Sequence, residues 1–377
     1  MITAQEFVER IELFNVSGSD ATITLGADIT IPYTAETSDE EDVLYIPTVN
    51  NSGHTLTINA DGYTLTLGTP LTTKTDMIVE GGRNDGDPQF CFADGVGIEV
   101  LSGKTTLNGA VIEFNAPGDN DDNITGFYVA EGAELLVTNG GTFTLTNYKT
   151  TMIENHGTTT IEGGGFEANY SNMNAGVPVK NYGDLTVTGG IFTSSYNYAI
   201  WNAAGSTFTM DGGRVSTYGV YAGVYLQGST TDDEGNPVSG AVATLNGGTI
   251  AVTSAGGDEK GVEVGPGATL TLDGTTITVK GHTNYSENND SYGIYDRGGE
   301  VTISSGSITA TDGAVAAGTG RGNAVALYST GWNELVVDTD NATVQAQTEA
   351  NVISPAVDRY NTSLNGEGTY YVMTEPT

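Results

Sequence analysis

The sequence predicts an all-β fold, a parallel β-helix of about 10–12 coils capped by an N-terminal α-helix. Three observations carry that expectation. A short apolar strand ends in small residues and closes on one more apolar residue, again and again along the chain. A second strand, ending in Gly, precedes most of these copies. No segment has the helical period needed for a crossover helix, which argues against βαβ folds. The recurring strand reads TLNGAVI, LVTNGGTF, TIEGGGF, TVTGGIF, TMDGGRV, TLNGGTI, TLDGTTI and TISSGSI. Its closing residues are Ile112, Phe143, Phe166, Phe192, Val215, Ile250, Ile277 and Ile308, with a degenerate copy at Val344.

In chain order, residues 1–16 come first as a capping helix. Thr3 and Glu6 fit a capping box, and Phe7, Val8, Ile11 and Phe14 share one helical face. Such a lid covers the strand edges of a first coil and places the start of the module near residue 1. Residues 17–345 form the β-helix. Strict alternation points Leu185 and Val187 inward and Thr186 and Thr188 outward, while the paired glycines suit a turn needing positive φ. The preceding strands read FYVAEG, TMIENHG, VPVKNYG, YAIWNAAG, GVYLQG, GVEVGPG, YGIYDRGG and VALYSTG. Within them Asn155, Asn181 and Asn202 share an inward column, where stacked amides hydrogen-bond along the axis. Polar inserts at 116–123, 230–240 and 282–291 are expected to bulge from the corners. Residues 346–377 break the pattern and serve as a C-terminal cap or lead-out.

The charge balance narrows the partners. Across 377 residues, 12 Lys and Arg face 47 Asp and Glu, a net charge of −35. That field repels nucleic acid and anionic membranes, so neither is expected as a partner. A single cysteine, Cys91, excludes an intrachain disulfide and a cysteine-based zinc site. No run is long and apolar enough to insert in a membrane.

The succession NYGDLTVTGGIF, AAGSTFTMDGG and GPGATLTLDGTTI resembles the right-handed parallel β-helix modules of bacterial surface adhesins, the pectate-lyase-like solenoids. The opening, with its helix followed by ATITLGADITI and HTLTINADGYTLTL, is also similar to the start of such modules. The resemblance spans residues 1–345 and rests on core and turn positions. It implies right-handed coiling, export and display on a bacterial cell surface, with signal and anchor lying beyond this sequence. It also implies binding of a host or microbial glycan or protein. Fold alone does not decide function.

Many β-helices cleave polysaccharides, so enzyme chemistry has to be weighed. A mechanism resembling pectate lyase needs calcium carboxylates facing a basic cluster, and the Lys and Arg residues here are dispersed. Glycoside hydrolysis needs two carboxyl groups about 5–9.5 Å apart. Glu162, Asp211 and Asp273 share an outward column with Asn108, Thr188 and Asn246, but in alternate coils. Solvated surface charge is the simpler reading, and a glycoside hydrolase or phage-type depolymerase remains the alternative. No cofactor is expected. The run Asp119–Asn123 resembles the opening of a calcium loop but lacks its Gly and its closing Glu. Outward Thr-x-Thr strands suggest an ice-binding lattice, which the irregular coil lengths spoil.

The remaining signal is aromatic. Tyr196, Tyr198, Trp201, Tyr218, Tyr221 and Tyr225 crowd one region. Aligned strands place Glu154, Lys180, Trp201, Tyr225, Glu263 and Tyr295 in one outward column. Exposed rings beside carboxylates suit sugar faces and hydroxyls, whereas a cross-strand ladder merely stabilises a sheet. The expectation is a non-catalytic surface module whose ligand site comprises Trp201, Tyr225, Tyr198, Tyr221 and Tyr295.

Overall fold

In the computed structural model the chain is a right-handed parallel β-helix. The structure describes residues 2–32, 44–81, 89–92, 97–115, 125–146, 151–168, 176–195, 197–219, 221–253, 259–281, 290–312, 324–330, 335–354 and 360–375. It divides into two compact units, Met1–Tyr170 with Asn174–Ile191 and Ser171–Met173 with Phe192–Thr377. Among the described residues no helix is long and apolar enough to cross a membrane.

The N-terminal helix, Ala4–Ser17, forms as its residues dictate. The Thr3 hydroxyl accepts from the Glu6 backbone and the Glu6 carboxylate accepts from the Thr3 backbone, completing the capping box. Those hydrogen bonds hold the Glu6 carboxyl below its ordinary pKa. Phe7, Val8, Ile11 and Phe14 are buried, and Gly18 ends the helix in the left-handed conformation. Asn15 and Asn51 tie the helix to the loop at 48–51.

Each coil contributes three strands, here called faces A, B and C in chain order. In the first unit Thr151–Asn155, Thr158–Ile161 and Gly165–Ala168 make one coil. All three pair in parallel with the equivalent strands of neighbouring coils. The closing residues on face C stand in register: Ile29, Leu65, Phe90, Ile112, Phe143 and Phe166 in the first unit. Val215, Ile250, Ile277, Ile308 and Val344 do so in the second. The repeat read from sequence is therefore the structural repeat, and it reaches three rungs further toward the N-terminus, where the motif is too degenerate to read. Leu185 and Val187 are buried while Thr186 and Thr188 are not. Among the paired turn glycines, Gly141, Gly164, Gly190, Gly213 and Gly248 adopt positive φ two residues before the closing residue. Part of the acidic excess is structural. Asp20, Asp28 and Asp76 each accept the backbone N–H that opens a strand of the next coil, all at 2.9 Å.

The two cores differ. In the first unit phenylalanines fill the interior, Phe92 stacking on Phe114 and Phe143 on Phe166, with Phe127 edge-on between the pairs. In the second, aliphatic residues join Phe192 and Phe208 in the interior, and face A carries glycines where face C side chains press against it. A Cβ on Gly261 would lie 2.4 Å from the Gly293 carbonyl oxygen and 2.8 Å from the Ile277 side chain. The GVY, GVE and GIY motifs thus place glycine where a face C isoleucine presses against the inside of face A.

Of the inserts, 116–123 lies outside the described residues, as does most of 282–291. The third is built by an antiparallel hairpin, Thr230–Thr231 with Pro237–Val238, whose tip is held by Asp232 and Asn236. Beyond Val344 the strand Ile353–Ser354 still continues face A. The pattern then changes, and Tyr371–Thr374 pairs antiparallel with both Ala342–Ala346 and Asn361–Leu364.

Candidate ligand-binding face

Face A of the second unit presents the aligned column. Its strands place one outward residue between two inward ones: Ile200-Trp201-Asn202, Val224-Tyr225-Leu226, Val262-Glu263-Val264, Ile294-Tyr295-Asp296 and Leu327-Tyr328-Ser329. Period-two alternation puts Trp201, Tyr225, Glu263, Tyr295 and Tyr328 in one row over five coils, roughly 19 Å at a strand spacing near 4.8 Å. In the first unit Tyr128, Glu154 and Lys180 form the corresponding row.

The row in the second unit has three parts. At one end Tyr198 lies 5.0 Å from Tyr225, nearly parallel, and 5.2 Å from Tyr221, while Trp201 stacks on Tyr225 at 6.4 Å. At the other end Tyr295 and Tyr328 stack at 4.8 Å with planes 8° apart, and Tyr292 leans on both. Between them Glu263 is buried and meets two cations, Lys260 Nζ at 3.8 Å and Arg297 Nη1 at 3.2 Å. The Lys260 ammonium also stands over the Tyr295 ring, 5.4 Å from its centre. Hydrogen bonding to Glu263 raises the Arg297 pKa, and burial followed by the Glu263 charge pushes the Tyr198 and Tyr225 phenols up. Both phenols therefore stay protonated and available as donors at neutral pH.

These rings are less exposed than flat outward residues of a bare sheet. Tyr198, Trp201, Tyr225 and Tyr295 are half-buried because each leans on its neighbour, and Tyr221 is exposed. Tyr198, Trp201, Tyr221 and Tyr225 come together, while Tyr295 belongs to a second cluster beyond Glu263. Tyr292, Tyr328, Lys260 and Arg297 escape the sequence reading. Tyr328 was legible by carrying the column one strand further into VALYSTG. The cations come from positions at the strand's start and just past its end, which period two alone does not bring to the row. Tyr196 and Asp119–Asn123 lie outside the described residues.

Other columns are hydrogen-bonded ladders. Asn155, Asn181 and Asn202 are fully buried; Asn155 donates to Asn181 at 2.8 Å, and Asn202 donates to the Tyr225 carbonyl. In the second unit the Asn202 column runs on through Leu226 and Val264 to Asp296 and Ser329. The Asp296 carboxylate accepts from the Gly298 and Gly299 backbone and from the Ser329 hydroxyl. Outside, Glu162 accepts from Thr138, Asp211 from Asn246 and Asp273 from Ser305, so each of these carboxylates sits on a polar rung.

No protein-family model, no curated protein and no solved structure matches this chain.

Proposed function

We propose that the chain is a non-catalytic, pectate-lyase-like adhesin module displayed on a bacterial cell surface, and that face A of its second unit binds a glycan. One observation carries the reading: two ring clusters flank a buried, ion-paired carboxylate in a single row. Rings offer apolar faces to the C–H side of a pyranose. Protonated phenols and the Arg297 guanidinium supply donors for hydroxyls, and Glu263 supplies acceptors. Stacking neighbours hold the rings in place, so a ligand finds them already ordered. A row of that length suits a short oligosaccharide rather than one sugar.

A glycan array probed with the parent chain, Trp201→Ala and Tyr225→Ala tests this. Binding by the parent that falls roughly tenfold or more in both variants supports the site. Unchanged binding in both removes it. Release of reducing sugar from a bound glycan would instead favour the hydrolase reading.

A further inference from the structure

We propose that the first unit carries a second ligand site, a platform formed by the Tyr128, His156 and Tyr182 rings, which takes a pyranose bearing a single carboxylate through Lys180. The site uses residues other than those of the row in the second unit.

Tyr128, Glu154 and Lys180 occupy equivalent positions in three consecutive coils. His156 and Tyr182 follow the buried asparagines Asn155 and Asn181, where the chain turns out of face A. There the imidazole and the phenol stack face to face, centres 4.5 Å apart and planes 2° apart, and Tyr128 leans on His156 at 5.4 Å. The His156 side chain is 34% exposed and Tyr182 is 39% exposed, so ring surface remains open to a ligand.

Charge decides which ligand. The Glu154 carboxylate turns to His156, with Oε1 3.0 Å from Nε2, and accepts from the Thr125 hydroxyl at 3.3 Å. It does not pair with Lys180, although the two are register partners. Half-buried Lys180 has no ion-pair partner among the described residues, whereas half-buried Lys260 is tied to Glu263. The other unpaired cations among the described residues, Arg10, Lys74, Lys104, Arg214 and Lys280, are exposed, whereas Lys180 is half-buried two residues before Tyr182. A pyranose laid on the rings brings a ring carboxylate toward that ammonium. At physiological ionic strength charges beyond about 8 Å are largely screened. One carboxylate therefore senses the local groups, while a polyuronate chain meets the wider acidic field.

Those local groups belong to three consecutive coils. Tyr128 and Glu131 come from the preceding coil, Glu154 from the histidine's own strand, and Lys180, Tyr182 and Asp184 from the following coil. The Glu154 carboxylate faces His156 and not Lys180, so the Lys180 ammonium is the charge open to an anionic ligand. At this range one added charge is worth roughly three- to tenfold.

The test uses the full chain, methyl β-glucuronide and its neutral counterpart methyl β-glucoside, followed by saturation-transfer NMR and calorimetry at about pH 7.5, where the uronate is ionised. The glucuronide should bind more tightly than the glucoside. Lys180→Met, which keeps the apolar stem, should abolish that preference. Tyr182→Ala should weaken both glycosides. Circular dichroism of each variant confirms the fold. Equal affinity for the two glycosides, a preference that survives Lys180→Met, or no binding of either at millimolar concentration overturns the proposal.

Discussion

The two units distribute aromatic rings differently over the same kind of strand. In the first, phenylalanines stack inside, and the outward row on face A carries Glu99, Tyr128, Glu154 and Lys180. In the second, isoleucine and valine pack over glycines beside the buried Phe192 and Phe208, and an outward row carries Tyr198, Trp201, Tyr225, Tyr295 and Tyr328. Alternation separates the two roles: inner residues answer to packing, outer ones to solvent and ligand, and either can change without the other. The ions differ as well. The second unit neutralises Glu263 with two cations at the centre of its row, whereas the first leaves Lys180 uncommitted.

The comparison breaks most readily in the core. Phe143→Ala removes a ring stacked on Phe166 and edge-on to Phe127, and should cost about 3–5 kcal/mol in denaturant unfolding. A loss below about 1 kcal/mol would mean that the phenylalanine column is not what holds the first unit together. In the second unit the matching weakness is tight packing rather than an emptied cavity. Gly261→Ala should cost about 1–3 kcal/mol, because the added methyl meets the Gly293 carbonyl and Ile277. An unchanged unfolding midpoint would show that face A has slack.

The amide ladder sharpens the contrast further. Asn181→Leu removes the acceptor for Asn155 and for the Gly183 N–H, and should cost about 1–3 kcal/mol. The double variant Asn155→Leu/Asn181→Leu should cost less than the sum of the singles, since the column in the second unit already tolerates Leu226 and Val264. Additive losses would rule out a coupled ladder.

The smallest effect at neutral pH concerns the raised phenols. Burial lifts Tyr198 and Tyr225 above the ordinary tyrosine value of about 10. The unfolded chain then releases those protons first, so their contribution is complete below that pH and is lost as pH rises past it. Ultraviolet phenolate titration should show a late-ionising fraction that shrinks in Tyr198→Phe, together with a fall in stability above about pH 10. A single ordinary transition would mean that these rings are open to water.

Much of the fold was legible because a β-helix writes its contacts into its spacing. The closing residues from Ile112 to Val344, the glycine turns, the buried asparagines and the helix capped by Thr3 follow from local chemistry repeated once per coil. The candidate site was legible in part. The outward column, with Trp201 next to Tyr225 and Glu263 next to Tyr295, follows from period two. The lean of the rings does not, because it depends on how neighbouring side chains fill space. Nor do the positions of Lys260 and Arg297, which reach Glu263 from the start of one strand and from just past the end of the next by the length and freedom of their side chains.

What the sequence determined by itself was which residues face inward, which coils are neighbours and where the chain turns, since backbone sterics and apolar alternation act within a few residues. Only the tertiary structure decided which charges pair and which stay uncommitted. It gave Glu263 two partners, turned Glu154 toward His156 and left Lys180 without one, because electrostatic pairing is settled by distances between atoms that lie a whole coil apart in the chain.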